Sequence, residues 1–293
     1  MTCPLQAASV RVLFEKLNTQ DERGYSCLHW LVATGNDRPL PGVLKLGADT
    51  TLRDAHSLTA LDHACKLGRF HMVQTLVEAC PALLYTVRES DGRGPLHFAN
   101  ESTQASEMVM LLLELGADVN ARSRLGRTIL HESILRGTND EHVAYLLAYG
   151  ADIHARDVNG WTPLHYAAYL GQVKMVEDLL YYGADPQATD DCGRTPLHVT
   201  STKVTMPQWD QDTTTAMMSG VECSQALLQT MEWSRKFGRR TSSEIVRTLL
   251  AHGATTWVED KNRDLTFSLA ARNGEVDVTY EILQVAAMEG LFG

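Results

Sequence analysis

One phrase recurs along this chain at nearly constant intervals, and that period limits the possible folds more than any other feature. The copies read ERGYSCLH, HSLTALDH, DGRGPLHF, LGRTILHE, NGWTPLHY and CGRTPLHV, followed by a divergent last copy, NRDLTFSLAARNG. The units begin near residues 21, 54, 89, 123, 157, 190 and 260, and the last, longer interval equals one unit plus an insertion of 37 residues. Such a period is typical of stacked supersecondary units rather than of one closed core.

The fifth unit shows how one copy is expected to fold. Asn159-Gly160 predicts a tight turn, Thr162 is placed to cap a helix, and Pro163 fits the first helical position. Gly171 is expected to end that helix in a left-handed conformation. The apolar residues of a second helix follow at three- and four-residue spacing: Val173, Val176, Leu179 and Leu180. Neither helix can bury its apolar face alone, so neighbouring units must supply the core.

Both halves of the unit resemble the ankyrin repeat, through the Thr-Pro-Leu-His signature and through second halves such as LLLELGADVNAR and YLLAYGADIHAR. The resemblance covers about 235 of the 293 residues. It implies an all-α ankyrin-repeat solenoid of helix–turn–helix units joined by β-turn or hairpin connections. It also implies a protein whose role is to bind another protein.

The period predicts one ankyrin domain over 21–293, preceded by an N-terminal capping helix over 1–20. The predicted repeats are 21–53, 54–88, 89–122, 123–156, 157–189, 190–259 with an insertion at 203–240, and a capping repeat at 260–293. The insertion has two interpretations. It is either a surface excursion without a role or a recognition element that uses Trp209 and Trp233.

Composition narrows the class of partner. The chain has 26 Lys and Arg against 36 Asp and Glu, a net charge of −10, and its hydrophobic fraction of 44% is that of a folded, soluble protein. This acid excess argues against nucleic acid or an anionic membrane as the partner. We expect no membrane-spanning segment and no secretory signal. The six scattered cysteines predict reduced thiols and a cytoplasmic or nuclear location, and we expect a monomer.

Four arginines depart from the acidic background, because each stands immediately before the next unit at spacings of 35, 34 and 34 residues. They are Arg53, Arg88, Arg122 and Arg156. The spacing predicts one arginine edge, which suits recognition of an acidic partner segment. The alternative is local pairing with neighbouring carboxylates, namely Asp54, Glu89, Asp152 and Asp157.

The histidines do not indicate an enzyme. Five of the eleven occupy the same signature position, where the ankyrin resemblance implies that they bridge neighbouring turns: His29, His97, His131, His165 and His198. Phosphate-loop, zinc-protease and nucleophile-elbow motifs do not occur in the sequence. We therefore expect no catalytic, cofactor-binding or metal-binding residue. The alternative is an enzyme, or an enzyme accessory, with a small-molecule pocket between the concave face and the insertion.

The resemblance implies that a partner meets the turns and the exposed ends of the first helices. The residues at those positions are Tyr25, His56, Arg93, Arg124, Arg127, Arg156, Trp161, Tyr169, Leu170 and Arg194. Trp161 and Tyr169 are predicted to dominate binding, on the expectation that the fold does not need bulk there. Asn120, two residues after Asp118, is either a hydroxylation site or ordinary ankyrin consensus.

Overall fold

The computed structural model describes residues 17–138, 140–201 and 242–288. The predicted insertion, with Trp209 and Trp233, and all but the last residues of the predicted N-terminal helix lie outside these ranges. Within them the chain is helical, and an isolated antiparallel bridge joins Glu259 to Leu265. The predicted all-α fold is confirmed. The chain divides into two compact units, residues 1–129 and 130–293, and the predicted repeat boundaries remain predictions.

The first unit is a series of short helices that come in pairs. The first helix of each pair carries the signature phrase, and the second packs behind it. The elements are α1 (Cys27–Thr34), α2 (Leu40–Lys45), α3 (Ala60–Lys66), α4 (Phe70–Ala79), a 3-10 turn (Pro81–Tyr85), α5 (Pro95–Ala99) and α6 (Ala105–Glu114).

The second unit continues the same alternation from the helix that begins at its boundary. Its elements are α7 (Ile129–Arg136), α8 (Asp140–Ala148), α9 (Pro163–Tyr169), α10 (Val173–Tyr181), α11 (Pro196–Ser201), α12 (242–251), α13 (Thr266–Arg272) and α14 (Val276–Met288). No helix among the described residues is both long and apolar enough to cross a bilayer.

An aspartate at the first position of most units builds the turn. The Oδ1 atom of Asp157 accepts the backbone N–H groups of Asn159 and Trp161, both at 2.8 Å. Gly160 closes this turn with a φ of 77°, a value that glycine adopts without strain. Asp21, Asp54, Asp190 and Asp260 accept the same two backbone hydrogens in their own turns. The turn chemistry predicted from Asn159-Gly160 is thus repeated along the chain.

The residues that begin and end the helices also recur from repeat to repeat, and α9 shows their arrangement. Thr162 is the N-cap of α9, Pro163 takes the first helical position as predicted, and the Thr162 hydroxyl lies 2.8 Å from Nδ1 of His165. The helix ends before Gly171, whose φ of 73° confirms the predicted left-handed stop. These local signals fix where each helix begins and ends, and therefore where each turn projects.

Both helices of each pair contribute buried apolar residues to the core. In α10, Val176 and Leu179 are fully buried and Leu180 is nearly so, while Val173 is half-buried. In the first unit, Val73, Leu76 and Leu112 fill the same role. Because most of these helices are short, with between 5 and 10 residues, stability depends on packing between successive pairs rather than on helix propensity.

Candidate protein-interaction surface

The signature histidines join successive repeats through backbone carbonyls. The Nε2 atom lies 3.0 Å from the Leu58 oxygen for His29 and 3.0 Å from the Arg194 oxygen for His165. His97 and His131 make the equivalent contact at 3.3 and 3.2 Å. Burial lowers the pKa of His165 to about 4, so the ring is neutral at pH 7. It accepts the Thr162 N–H at Nδ1 and donates from Nε2, the bridging role that the resemblance implied.

The second repeat replaces this histidine with Asp62. One carboxylate oxygen accepts the backbone N–H and the hydroxyl of Thr59, both at 2.9 Å, so the cap is kept. The other oxygen, Oδ1, is buried and has no hydrogen-bond partner among the described residues. Burial raises the pKa of Asp62 above its ordinary value, although the hydrogen bonds from Thr59 oppose that shift. The helix cap is therefore kept when aspartate replaces histidine, but the ring N–H that donates to the next repeat is lost.

Two of the predicted edge arginines anchor their own repeat to the next one. Arg53 donates to the Ser57 oxygen at 2.8 Å and to the Val87 oxygen at 2.9 Å. Arg156 donates to the Thr189 oxygen and to the Asp191 carboxylate, yet its side chain stays 45% exposed. Both guanidinium groups are therefore held in a fixed orientation by backbone carbonyls of the following repeat.

The other arginines of this edge differ among themselves. Arg88 pairs with the Asp91 carboxylate and lies 5.3 Å from the centre of the Phe98 ring. Arg122 is exposed. Arg124, which lies in the turn next to this edge, is exposed as well, and it donates to the Glu89 oxygen at 3.0 Å. The edge is therefore partly a set of links between repeats and partly a surface that a partner could reach.

Three arginines predicted to meet a partner are largely taken up by the fold. Arg93 pairs with Glu101 at 2.7 Å, and Arg194 pairs with Asp190 at 2.7 Å. Arg127 is 5% exposed. The guanidinium groups of Arg93 and Arg194 are thus held by carboxylates of their own repeats, and the predicted contact of these three arginines with a partner stays a prediction.

Trp161 requires the clearest correction. Its side chain is only 1% exposed, its Nε1 donates to Oδ2 of Asp190 at 3.1 Å, and its ring meets the Tyr166 ring edge-on at 5.0 Å. Tyr169 is half-buried with its ring 5.6 Å from the indole, and Leu170 is buried at 7%. The structure thus brings Trp161, Tyr169 and Arg194 together, but in packing within the fifth repeat and against the sixth. The fold does require bulk at this turn.

The remaining predicted positions are more accessible. His56 is exposed at the tip of the second turn, and Tyr25 is half-buried with its ring stacked 5.5 Å from His29. Sequence reasoning missed Trp30, which lies one turn further along α1, is 48% exposed, and is 5.6 Å from the Tyr25 ring. Asn120 is half-buried, and its N–H donates to Asp118 at 2.9 Å.

A carboxylate at the first position also holds the side chain nine residues later. Asp54 accepts from Nε2 of His63 at 2.9 Å, and Asp157 accepts from the Tyr166 hydroxyl at 2.7 Å. Burial would raise the pKa of Asp54, but hydrogen bonds from the Leu58 backbone and from His63 lower it below its ordinary value. The carboxylate at the first position therefore binds a histidine ring in the second repeat and a tyrosine hydroxyl in the fifth.

The second helices carry exposed aromatic residues that the sequence interpretation did not identify. Tyr145 and Tyr149 lie on or just after α8, and Tyr181 and Tyr182 lie at the end of α10. All four are exposed. The available signal was the tyrosine-bearing second halves AYLLAYGAD and DLLYYGAD, which place aromatic rings beside an otherwise ordinary repeat ending.

The fold and the surface together define a helical-repeat protein in which hydrogen bonds link the turns of successive repeats. A family profile described as ankyrin repeats (3 copies) matches residues 40–123, 105–190 and 158–203. The chain belongs to the ankyrin-repeat family.

Two similarities refine this placement. The chain is 30% identical over 128 residues to the "NF-kappa-B inhibitor cactus" of Drosophila melanogaster, a match over 34% of this chain and 25% of that protein. It therefore spans only a quarter of that relative's length. The chain is also similar to the crystal structure of the ankyrin repeat domain of Bcl-3, described as a unique member of the IkappaB protein family. The match covers 90% of this chain and 100% of that chain, with a TM-score of 0.67 and 25% sequence identity. These likenesses support a protein–protein interaction module.

Proposed function

We propose that this protein is a non-catalytic binding module of the IkappaB type, which holds a partner protein against its turn tips and the face lined by its first helices, the concave face of the family. Both similar proteins support this class, since one is named an NF-kappa-B inhibitor and the other an IkappaB family member. NF-kappa-B is therefore the first partner to test. The proposed location is the cytoplasm or the nucleus, with the module acting as a monomer.

The observation that carries the proposal is the anchoring of exposed arginines at the turns. Arg124 and Arg156 are exposed, and each donates to a backbone carbonyl of a neighbouring repeat. Anchoring removes conformational freedom before a partner arrives, so less entropy is lost on binding. A fixed guanidinium also matches carboxylate geometry better than a mobile one. This supports an acidic partner segment in contact with these turns.

The test is a calorimetric titration of the full chain with purified NF-kappa-B at two salt concentrations. Replacing Arg124 and Arg156 together by Ala should weaken binding by about tenfold and reduce its salt dependence, because both guanidinium groups would face the partner's carboxylates. The matched control is Arg247→Ala in α12. Arg247 is 61% exposed and lies in an ion pair with Glu281 at 3.0 Å, outside the proposed surface.

The control variant should bind within about twofold of the wild type, since a surface ion pair of this kind contributes little. Absence of binding to NF-kappa-B removes the IkappaB-type proposal. Equal weakening in the double variant and the control removes the role of the anchored arginines, because it would show a general charge effect.

A further inference from the structure

A groove opens on the second helices of the second unit, away from the signature turns. It has a volume of about 730 Å³ and lies between α8 and the end of α10. Its walls are apolar and aromatic apart from one carboxylate, and they are formed by Glu141, Ala144, Tyr145, Leu147, Ala148, Ala151, Ile153 and Tyr182. None of the sequence predictions for partner binding falls on these residues.

The tyrosines at this groove expose much of their surface. Tyr145 is 44% exposed, and Tyr182, 47% exposed, has its ring 5.4 Å from that of Tyr181, which is 82% exposed. Aromatic side chains of this size are enriched at protein interfaces, where their rings bury a large area at a small cost in side-chain entropy. The repeat does not use these rings for its own core, as their exposure shows.

Each of these tyrosines follows an acidic residue by one helical turn. Glu141 precedes Tyr145 on α8, and Asp178 precedes Tyr182 along α10. Residues four apart on a helix lie on the same face, and this spacing places a carboxylate about one turn before each ring. A third pair, Glu177 and Tyr181, follows the same spacing on the neighbouring face of α10.

The balance of charge around the groove is negative. Glu141 and Glu177 are exposed, and the cation on α10 is Lys174, one turn before Asp178. The chain as a whole carries a net charge of −10. A ring with an adjacent carboxylate favours arginine in particular, because the guanidinium can stack on the π-face while its edge donates to the acid.

We propose that this groove binds an arginine-containing segment of a partner protein, with apolar residues of that segment covering Leu147 and Ile153. The guanidinium groups stack on Tyr145 and Tyr182, and Glu141 accepts their hydrogens. This surface prefers a partner charge opposite to that of the arginine-bearing turns, and it lies on different helices. The inference therefore does not depend on the function proposed above.

The probe is a fluorescein-labelled peptide of alternating arginine and leucine, titrated with the full chain by fluorescence anisotropy. A second peptide, in which neutral citrulline replaces every arginine, keeps the shape and removes the charge. We expect the arginine peptide to bind at least about tenfold more tightly than the citrulline peptide. Tyr145→Leu with Tyr182→Leu should weaken binding of the arginine peptide by about tenfold, whereas Tyr145→Phe with Tyr182→Phe should leave it nearly unchanged.

The matched control is Tyr280→Leu, which removes a tyrosine that is 61% exposed on α14 and outside the groove. It should bind within about twofold of the wild type, and thermal unfolding should confirm that all variants fold. Equal binding of the two peptides overturns the proposal, as does full binding by the double Leu variant, which would indicate general electrostatic attraction. Self-association of the chain that the double Leu variant abolishes also overturns it, because the occupant would then be a second copy.

Discussion

The second and fifth repeats use the same turn and the same helix cap, but they place different chemistry at the signature position. In the fifth repeat, His165 lies 2.8 Å from the Thr162 hydroxyl and also reaches the Arg194 carbonyl at 3.0 Å. In the second, Asp62 lies 2.9 Å from the Thr59 hydroxyl and leaves its other oxygen buried without a partner among the described residues. The cap needs only an acceptor, whereas the bridge to the next repeat needs a donor as well.

This difference gives the two repeats opposite responses to pH. Burial lowers the pKa of His165 to about 4, so acid favours the unfolded chain, in which the imidazole takes up a proton more readily. Burial raises the pKa of Asp62, so acid favours the folded chain, in which the carboxyl takes up a proton more readily. The residue at the signature position therefore favours the folded chain more at neutral pH in the fifth repeat and more at acidic pH in the second.

The largest expected effect concerns the turn that precedes each cap. Trp161→Ala should lower the free energy of unfolding by about 3–5 kcal/mol, because it empties a buried site and leaves Asp190 without the indole donor. Tyr25→Ala, at the equivalent position of the first repeat, should cost only about 1–2 kcal/mol because Tyr25 is half-buried. Urea unfolding measures both values.

Equal costs for Trp161→Ala and Tyr25→Ala would contradict the burial difference between the two turns. If Trp161→Ala left the free energy of unfolding nearly unchanged, Trp161 would not have the packing role described above and could again be considered a contact for a partner.

The next effect is the acid response of the fifth repeat. As pH falls from 7 to 4, the stability that His165 contributes should decrease by on the order of 3 kcal/mol, since its pKa of about 4 lies well below the ordinary histidine value of about 6.5. The loss begins near pH 6.5, where the unfolded imidazole takes up a proton, and is complete near the folded pKa. His165→Gln should lower the free energy of unfolding at pH 7 and flatten its fall with acid.

The measurement is urea unfolding at half-unit pH steps on the wild type and His165→Gln. Identical slopes in the two proteins would show that the acid response arises elsewhere, for example at His29 and His198, whose pKa values burial also lowers.

The smallest effect is the reverse case in the second repeat. Asp62 contributes its stability below the unfolded pKa, near 3.9, and that contribution is lost as pH rises through the higher folded pKa. Asp62→Asn removes the cost of a buried charge while keeping an oxygen for the cap. It should therefore raise stability at pH 7 by about 1 kcal/mol.

Asp37→Asn is the matched control, because it removes the same charge from a carboxylate that is 48% exposed. It should leave stability within about 0.5 kcal/mol of the wild type. Destabilisation by Asp62→Asn would show that the ionised carboxylate is needed for the cap of α3.

Local signals in the sequence predicted the repeating parts of this fold well. Asn159-Gly160, Thr162 and Pro163 each specify their own backbone conformation, so the turn, the cap and the helix start follow without knowledge of the rest of the chain. The environment of Trp161 depends instead on Asp190, 29 residues away, which closes over the indole from the next repeat. A linear pattern does not contain that contact, so the residue was predicted to be exposed.

The same limit applies to the arginines and the tyrosines. The spacing of Arg53 and Arg156 predicts a shared edge, but it does not show that their donors reach carbonyls 34 and 33 residues further on, respectively. Tyr145 and Tyr182 occupy an ordinary repeat ending in the sequence, and only the packed helices show a groove between them. The positions of these arginines and of the groove thus depend on contacts between repeats, which the sequence of a single repeat does not encode.

The central proposal, that a partner binds at the turns, is tested most directly by amide hydrogen exchange of the full chain with and without purified NF-kappa-B. We predict slower exchange at the turn segments 22–25, 56–58, 124–126 and 158–160, and unchanged exchange in α8 and α10. Protection confined to α8 and α10, or no protection anywhere in the chain, would contradict the proposal.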